Sequence, residues 1–260
     1  MTTIVKAHSS VPPRDVARLL IDIGVLLLSA GAHTARTVRN LQRFAASFGY
    51  TPDIFISFAG ITLTLHDSEH SITLFGKVKN HGVHLAMVSA VSKLSWRAER
   101  EQLSLADIRE ELTKIQAYPH YPRWFILLMI GLGCGALARN AGAEIPVVVV
   151  TMLASCVALR ARMQLTEWRI NPFLVVLVSA AIATLIGGVA GAMQLGTTSG
   201  IAIAASVLFL IPGVPLINGV IDMITGHMNV GIGRTAMGIA ISFSLSCGML
   251  LGLKMMGSTL

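Results

Sequence analysis

The stretch ASVLFLIPGVPLINGVIDMITGHMNVGIGR, residues 205–234, combines the hydropathy of a membrane segment with features that interrupt a helix. It contains two prolines, five glycines and one acidic residue. Pro212 lacks an N–H group and its ring clashes with the carbonyl four residues earlier, so we expect the helix to break there. Pro215 suits the first turn of a second helix, because its φ angle is already close to the helical value. The sequence therefore predicts one discontinuous helix at membrane depth.

The second helix is predicted to begin with unpaired backbone donors. If Pro215 lies in its first turn, the N–H groups of Leu216–Asn218 have no partner in a preceding turn. In lipid these groups must be satisfied by protein, water or substrate, and the positive end of a broken helix can hold an anionic group. We therefore predict that Pro212, Gly213 and Pro215 form part of a binding site for a substrate carboxylate.

Four polar residues after the break have helical spacing. Asn218, Asp222, Thr225 and Asn229 are separated by 4, 3 and 4 positions, which places them on one face of a helix. A narrow polar face on an apolar helix is expected to face a bundle interior or a wet cavity, so we predict that these residues contact the substrate. The alternative is a solvated helix end at the lipid headgroups, about 15 Å along a straight helix from the break.

Asp222 has two candidate functions within this site. It could carry a proton or a cation, or it could act as a gate by forming a charge pair with Arg234. His227 falls on the opposite face of the predicted helix, where we expect a position at the membrane interface.

Charged residues are concentrated in the first half of the 260-residue chain. Residues 1–123 contain 10 of the 13 acidic and 14 of the 20 basic residues, whereas residues 170–221 contain none. The chain is 53% hydrophobic and only 13% charged, and soluble domains carry nearly twice that charge. We therefore predict a cytoplasmic α+β domain at residues 1–120 and a transmembrane helical domain at residues 121–260. Membrane topology explains the net charge of +7 better than binding of nucleic acid does.

The pattern of the first domain predicts a soluble α+β fold. Arg14–Phe48 indicates one helix with a buried face, because its uncharged run is too short to span a bilayer. Three β-branched and aromatic segments separated by turn residues predict an antiparallel meander, and two helices follow it. The strands are predicted at Tyr50–Ser57, Ile61–Leu65 and Ser71–Phe75, and the helices at Gly82–Arg100 and Leu105–Ala117.

Candidate catalytic chemistry in this domain is sparse. The run His66–His70 could suggest a metal site, but a polar hairpin loop is the stronger interpretation. His33 and Arg36 could contact substrate or a partner, or could belong to a solvated face. No nucleophile elbow, phosphate loop or paired-carboxylate pattern is present, so the sequence predicts neither an enzyme nor a bound cofactor or metal.

Five membrane spans, one of them broken, are predicted to form an all-α bundle after the interfacial segment Tyr118–Trp124. The predicted spans are Trp124–Ala138, Ile145–Leu159, Pro172–Met193, the broken Ile201–Met223 and Thr235–Leu253. GxxxG pairs allow close helix approach, within the bundle or to another subunit, and therefore leave a homo-oligomer open. These pairs are Gly131/Gly135, Gly187/Gly191 and Gly248/Gly252.

The distribution of arginines predicts the orientation of the spans. The linkers after the second and fourth predicted spans carry Arg160, Arg162, Arg169 and Arg234, whereas the opposite loops carry only Arg139. Basic residues accumulate on the cytoplasmic side of membrane proteins. We therefore expect a multi-pass protein of the bacterial inner membrane, with a cytoplasmic N-terminus and with Leu260 on the outside.

Two stretches resemble a known family. Tyr121–Trp124, followed by Leu128–Leu132, is similar to the junction between the soluble and membrane parts of the threonine/serine exporter (ThrE-type) family. Ala205–Arg234 is similar to the signature of that family. Within this signature the resemblance is carried by Ile211–Asn218, Asp222, Gly226, His227 and Arg234. The length and layout also match, so the resemblance covers nearly the whole chain.

The resemblance implies a secondary transporter subunit that exports a small carboxylate. Full-length members carry a second membrane half, so this chain resembles the split form of the family, in which a second small transmembrane subunit supplies that half. Succinate or another dicarboxylate is the expected substrate, and threonine or serine is the alternative. A membrane-anchored, hydrolase-like enzyme is an alternative of another class, and it would require a catalytic set of residues. The driving force is expected to be an ion gradient or the substrate gradient itself.

Overall fold

The computed structural model describes residues 11–66, 71–79, 82–118 and 121–257, and these residues are mostly helical. The helices are α1 (Pro13–Ser29), α2 (Thr34–Ser47), α3 (Leu85–Glu101), α4 (Leu105–Gln116), α5 (Arg123–Asn140), α6 (Ile145–Glu167), α7 (Pro172–Ala192), α8 (Ser199–Ser206), α9 (Gly213–Ile224) and α10 (Met228–Met255). The strands are β1 (Pro52–Ile56), β2 (Gly60–His66) and β3 (Ser71–Lys77).

The chain divides into two compact units. The first contains Met1–Pro119 together with Val214–Ala236, and the second contains His120–Gly213 together with Met237–Leu260. Most of the stretch that contains Asp222 therefore packs as part of the first unit, although it lies in the apolar second half of the sequence.

The sheet of the first unit confirms the predicted meander. Its strands are antiparallel in the order β1-β2-β3, with Leu63 of β2 opposite both Ile54 and Leu74. Alternate β2 residues are buried against the core, as expected for a sheet with one covered face. The core also contains the apolar face of α1, and α3 and α4 confirm the two helices that were predicted after the sheet.

The single helix predicted at Arg14–Phe48 is wrong, because the chain turns between α1 and α2. Gly31 has a φ angle of +85°, which a residue with a Cβ rarely adopts. Its amide donates to the Leu28 carbonyl, and the amide of Ala32 donates to the Leu27 carbonyl. These two bonds form the Schellman motif that ends α1. The predicted helix extended across this glycine, which instead ends α1.

The polar run after β2 falls partly outside the described residues. His66 ends β2, and its Nε2 lies 3.0 Å from Oδ2 of Asp53 on β1. The hairpin loop was predicted at His66–His70, and its residues 67–70 lie outside the described ranges. The proposed position of Leu260 lies outside them as well.

The second unit is a helical bundle whose glycines allow close contacts. A Cβ on Gly131 would meet Sγ of Cys156, and one on Gly135 would meet Met152, so this pair lies against α6. A Cβ on Gly187 would lie 3.1 Å from the carbonyl oxygen of Ala202 on α8. The third pair, Gly248 and Gly252, packs against α7. The GxxxG pairs therefore serve helix packing within this chain.

Glu144 holds two loops of the second unit together. Its carboxylate accepts hydrogen bonds from the hydroxyls of Thr198 at 2.6 Å and Thr197 at 2.8 Å, and from the amide of Thr197 at 3.1 Å. The hydroxyl bond of Thr198, followed by the bonds of Thr197, lowers the pKa of Glu144 to about 2. The carboxylate is therefore ionised at every physiological pH.

Within the described residues, three helices are long and apolar enough to cross a membrane: α6, α7 and α10. The pair Ser199–Leu210 and Gly213–Ile224 would be a fourth if it is one broken span. The protein is therefore mostly helical, with a small sheet and three to four membrane-grade helices. Arg160 and Arg162, which were expected in a linker, lie within α6, because this helix continues to Glu167.

The predicted helix break at Pro212 is confirmed. Helix α8 ends at Ser206, a 3₁₀ turn covers Leu208–Leu210, and α9 begins at Gly213. Ile211, the residue before the proline, is extended with φ −62° and ψ 127°. This is the conformation that a following proline imposes through its Cδ atom.

Candidate functional site

The polar face of α9 contacts the corner between α1 and α2. The side-chain amide of Asn218 donates a 2.8 Å hydrogen bond to the carbonyl of Gly31. One turn later, Oδ1 of Asp222 accepts a 2.8 Å hydrogen bond from the amide of Thr34, the first residue of α2. All four residues belong to the first unit. This face was expected to line a bundle interior or a wet cavity, and it packs on the α1–α2 corner instead.

Arg234 of α10 completes this group of residues. Its Nη2 donates a 2.8 Å hydrogen bond to the carbonyl of Ala32, and its Nη1 lies 3.0 Å from Oδ2 of Asp222. Asp222 is 0% exposed and Arg234 is 7% exposed. We call Gly31, Ala32, Thr34, Asn218, Asp222 and Arg234 the corner cluster. Removing both charges from water is costly, and here backbone groups and the opposite charge offset part of that cost.

The amino end of α2 favours a negative charge at Asp222. The amide of Thr34 is among the first N–H groups of a 14-residue helix, which lack intrahelical partners and carry the positive end of the helix dipole. A carboxylate on this amide therefore satisfies a buried donor and interacts favourably with the dipole. Asp222 thus has two electropositive neighbours, which are the helix terminus and the guanidinium of Arg234.

His33 caps the same helix end. Its Nδ1 accepts a 3.3 Å hydrogen bond from the amide of Arg36, so that nitrogen carries no proton. Partial burial lowers the pKa of His33 from its ordinary value, and the charge of Arg36 lowers it further. Asp222 acts in the opposite direction on this pKa. A neutral imidazole is therefore the form that supports the amino end of α2.

Glycines bring Asp222 and Arg234 close together. A Cβ on Gly231 of α10 would lie 2.7 Å from the carbonyl oxygen of Gly219 on α9, so the two helix backbones approach closely. Gly226, with φ +87°, ends α9 in a Schellman motif whose bonds run to Met223 and Asp222. The chain can then reverse within a few residues and return as α10.

Three buried side-chain atoms of the corner cluster have no hydrogen-bond partner: Oγ1 of Thr34, Oδ2 of Asp222 and Nη1 of Arg234. The last two lie at ion-pair distance, but their contact lacks the angles of a hydrogen bond. Buried polar atoms are normally satisfied. The corner cluster therefore has unused hydrogen-bonding capacity for one more polar group.

The four-residue polar face predicted after the break is wrong beyond Asp222. Helix α9 ends at Ile224, and Asn229 belongs to α10. Thr225 and Asn229 are both exposed, and the Thr225 hydroxyl donates to the Ile221 carbonyl at 2.8 Å. The cause is the turn at Gly226, which interrupts the 3.6-residue period on which the prediction depended.

The bare amides predicted after Pro215 are wrong for Ile217 and Asn218. Because α9 begins at Gly213, these two amides lie within the helix and can bond to the carbonyls of Gly213 and Val214, four residues earlier. Pro212 and Pro215 occupy two of the positions whose amides would otherwise be free, and the Gly213 amide donates to the Ile211 carbonyl at 2.8 Å. Pro212 is buried, whereas Gly213 and Pro215 are half-buried.

Gly31, Ala32 and Thr34 were not among the residues predicted for the site. Their contribution comes from two backbone carbonyls and one amide, and such groups have no residue-type signature. One signal was available in the sequence. Gly31 lies two residues before His33 and three before Thr34, and a glycine at this spacing is typical of a helix end followed by a helix start. That pattern would have predicted the corner, although not its contact with α9.

The chemistry of the corner cluster is that of anion recognition. In the described part of the chain, no group of three or more His, Cys, Asp or Glu side chains could hold a metal ion. The cluster instead offers a guanidinium, a helix amino end and a hydroxyl, the groups that bind carboxylates in proteins. One carboxylate, that of Asp222, already lies on the guanidinium and on the helix amino end.

Comparison with known proteins identifies relatives over nearly the whole chain. The sequence profile of the family described as "Putative threonine/serine exporter" matches residues 18–256. A Klebsiella aerogenes protein named "Probable succinate transporter subunit YjjP" is 32% identical over 246 residues, which cover 94% of this chain and 95% of that protein. The Escherichia coli K12 protein of the same name is 32% identical over 248 residues, or 94% and 96% of the two chains.

A more distant relative has a different name. A Mycobacterium tuberculosis protein named "Probable threonine/serine exporter" is 22% identical over 246 residues, which cover 93% of this chain and 46% of that protein. No solved structure matches the chain. The relatives named above are therefore described as a probable exporter or as probable transporter subunits.

Proposed function

We propose that this chain, which belongs to the threonine/serine exporter family, is a subunit of a membrane exporter whose substrate is a small carboxylate. The observation that carries the proposal is the similarity to two succinate transporter subunits along almost the full length of all three chains. Succinate, or a dicarboxylate of similar size, is accordingly the substrate that we expect.

The corner cluster supports a carboxylate as the transported chemistry. A succinate carboxylate has the same shape and charge as the side chain of Asp222, which lies on Arg234 and on the amino end of α2. In this proposal, Asp222 and Arg234 form a gate that separates when the substrate moves. Asn218 holds α9 on the corner through the Gly31 carbonyl.

The helix break is the second part of the proposed path. Pro212 prevents α8 and α9 from joining into one regular helix, and Gly213 and Pro215 set the first turn of α9. We propose that substrate contacts this break, and that Thr225 and Asn229 are exposed positions near the end of the path. Asp222 then couples the carboxylate to a proton or cation.

We further propose a topology in the inner membrane. Five spans are assigned to α5, α6, α7, the broken pair of α8 and α9, and α10. The N-terminal sheet and its helices are cytoplasmic, and the chain ends outside. This orientation is supported by the arginines near the carboxyl end of α6, because basic residues accumulate on the cytoplasmic side of membrane proteins. These are Arg160, Arg162 and Arg169.

A second membrane subunit is part of the proposal. The two relatives with the highest identity quoted above are named as subunits, which supports a partner chain for this protein as well. Threonine or serine is the second candidate substrate, supported by the family description and by the name of the mycobacterial relative.

Efflux of labelled succinate and labelled threonine tests the function directly. Cells expressing this chain, with and without a candidate second membrane subunit, are loaded with each compound and transferred to unlabelled medium. We expect rapid succinate efflux only when both chains are present. Selective threonine efflux would replace succinate by the second candidate, and efflux of neither compound above the empty-vector rate would refute the proposal.

A further inference from the structure

Two of the three unpartnered atoms of the corner cluster can donate a hydrogen bond. The Thr34 hydroxyl and the Arg234 Nη1 group can both donate, whereas Oδ2 of Asp222 can only accept. All three side chains are more than nine-tenths buried, with Thr34 at 1% exposure. A carboxylate in the place of Asp222 could accept from both donors, whereas a cation there would meet the positive charge of Arg234. The composition of the cluster therefore favours an anion.

The side chain of Asp222 already contacts the other groups of the corner cluster as a free carboxylate would. One of its oxygens lies on the first amide of α2, and the other lies 3.0 Å from the guanidinium of Arg234. The geometry is incomplete, because the second contact is not aligned as a hydrogen bond and the Thr34 hydroxyl is left without a partner. A carboxylate that is not tethered to α9 could adjust its position and meet all three donors.

We propose that the amino end of α2, the Thr34 hydroxyl and Arg234 form a carboxylate-binding site that Asp222 occupies as an internal ligand. A substrate carboxylate binds there when Asp222 leaves, and the return of Asp222 expels it. The identity of the substrate as succinate rests on the proposed function, whereas the site itself rests on the contacts above. This site lies on the first unit, and it is distinct from the helix break around Pro212.

The exchange of one carboxylate for another has a physical advantage. Arg234 is buried, and a buried cation without a counter-ion is strongly unfavourable. If one carboxylate replaces another, the guanidinium and the amino end of α2 remain paired in both states. The site therefore alternates between two arrangements in each of which Arg234 has a carboxylate partner, as a bistable transport element must.

Thr34 provides a test that separates binding from stability. Its hydroxyl has no partner, so Thr34→Val, which has nearly the same shape, should leave the thermal midpoint of the purified full chain unchanged or raise it. Loss of a hydrogen bond to a charged ligand should raise the KM for succinate about tenfold. Thr34→Ser keeps the hydroxyl and should keep the KM.

Thr37→Val is the matched control, one turn along the same helix. The Thr37 side chain is buried, and its hydroxyl donates to the His33 carbonyl at 3.3 Å. This variant should lower the thermal midpoint and leave the KM unchanged. The inference is overturned if Thr34→Val exports succinate with the wild-type KM, and the proposed function survives that result.

A second measurement does not depend on transport. The variant Asp222→Asn removes the negative charge of the internal ligand and leaves Arg234 without a carboxylate partner. Added succinate or acetate should therefore raise the thermal midpoint of this variant by several degrees. The same additions at equal ionic strength should not stabilise Asp222→Asn/Arg234→Gln, nor the exposed control Asp22→Asn. Equal shifts in all three variants would overturn the site, whichever compound the cells export. If Asp222→Asn does not fold, the Thr34 variants decide the question.

Discussion

Asp222 and Thr34 are 188 residues apart in the sequence, and Oδ1 of Asp222 accepts a 2.8 Å hydrogen bond from the amide of Thr34. The contact joins the segment after the helix break to the first turn of α2. Because both groups are buried, neither can exchange its partner for water without a local opening. A movement of α9 therefore changes the environment of the amino end of α2.

We predict that removing one member of the charge pair lowers the free energy of unfolding more than removing both members does. Arg234→Met leaves Asp222 buried without its cation and should lower the free energy of unfolding by about 3–5 kcal/mol. Asp222→Asn/Arg234→Met keeps an acceptor for the Thr34 amide and removes both charges, so it should recover at least half of that loss. Denaturant unfolding of the purified full chain measures both values, and a strictly additive double variant would contradict the prediction.

The α1–α2 corner should depend on Gly31 more than a neighbouring turn depends on Gly49. Both residues have positive φ angles, +85° and +79°, so an alanine at either should cost about 1–2 kcal/mol of backbone strain. At Gly31 the added Cβ would also lie 2.8 Å from the carbonyl oxygen of Gly82, whereas at Gly49 nothing lies within 4 Å. We expect Gly31→Ala to be the less stable variant in thermal unfolding. Equal midpoints for the two variants would show that the close contact at Gly31 relaxes freely.

His33 should make the first unit sensitive to acid. Burial, followed by the charge of Arg36, lowers the pKa of His33 in the folded state, so the unfolded chain binds the proton more readily. The stability from the neutral imidazole is therefore complete above the unfolded pKa of about 6.5 and is lost as the pH falls toward the folded value. His33→Asn caps a helix without titrating. We expect this variant to lose less thermal stability than the wild type between pH 7.5 and 5.5, and parallel losses would contradict the prediction.

The two prolines at the break should be needed for transport. In Pro212→Ala/Pro215→Ala, the restored amide at position 212 can bond to the carbonyl of Leu208, so α8 and α9 can join into one helix. The direction in which α9 presents Asn218 and Asp222 would then change. We expect normal membrane insertion and near-complete loss of succinate efflux, measured in cells that contain both subunits. Efflux at the wild-type rate would mean that the break contributes only to packing.

Much of the architecture follows from local patterns in the sequence. Pro212 has a direct effect on backbone geometry, so the end of the preceding helix and the extended Ile211 were predictable. The meander was predictable because β-branched segments alternate with turn residues. Both signals act within a few residues of the structure that they determine.

The contacts of the corner cluster were not predictable from local patterns. The helical period correctly paired Asn218 with Asp222, but it extended the face to Asn229 because Gly226 was not recognised as a helix end. The partners of this face are backbone groups at residues 31–34, almost 190 residues earlier. A single sequence contains no period or spacing that relates segments so far apart.

Succinate efflux from cells that express both subunits with wild-type Asp222, Asp222→Asn or Asp22→Asn tests the central claim most directly. The claim is that this chain exports a carboxylate through an exchange at the corner cluster. Asp22 is exposed on α1, so Asp22→Asn makes the same chemical change outside the site. We predict wild-type efflux for Asp22→Asn and at least a tenfold loss for Asp222→Asn at equal amounts of inserted protein, because the substrate is no longer expelled. Wild-type efflux by Asp222→Asn would contradict the account.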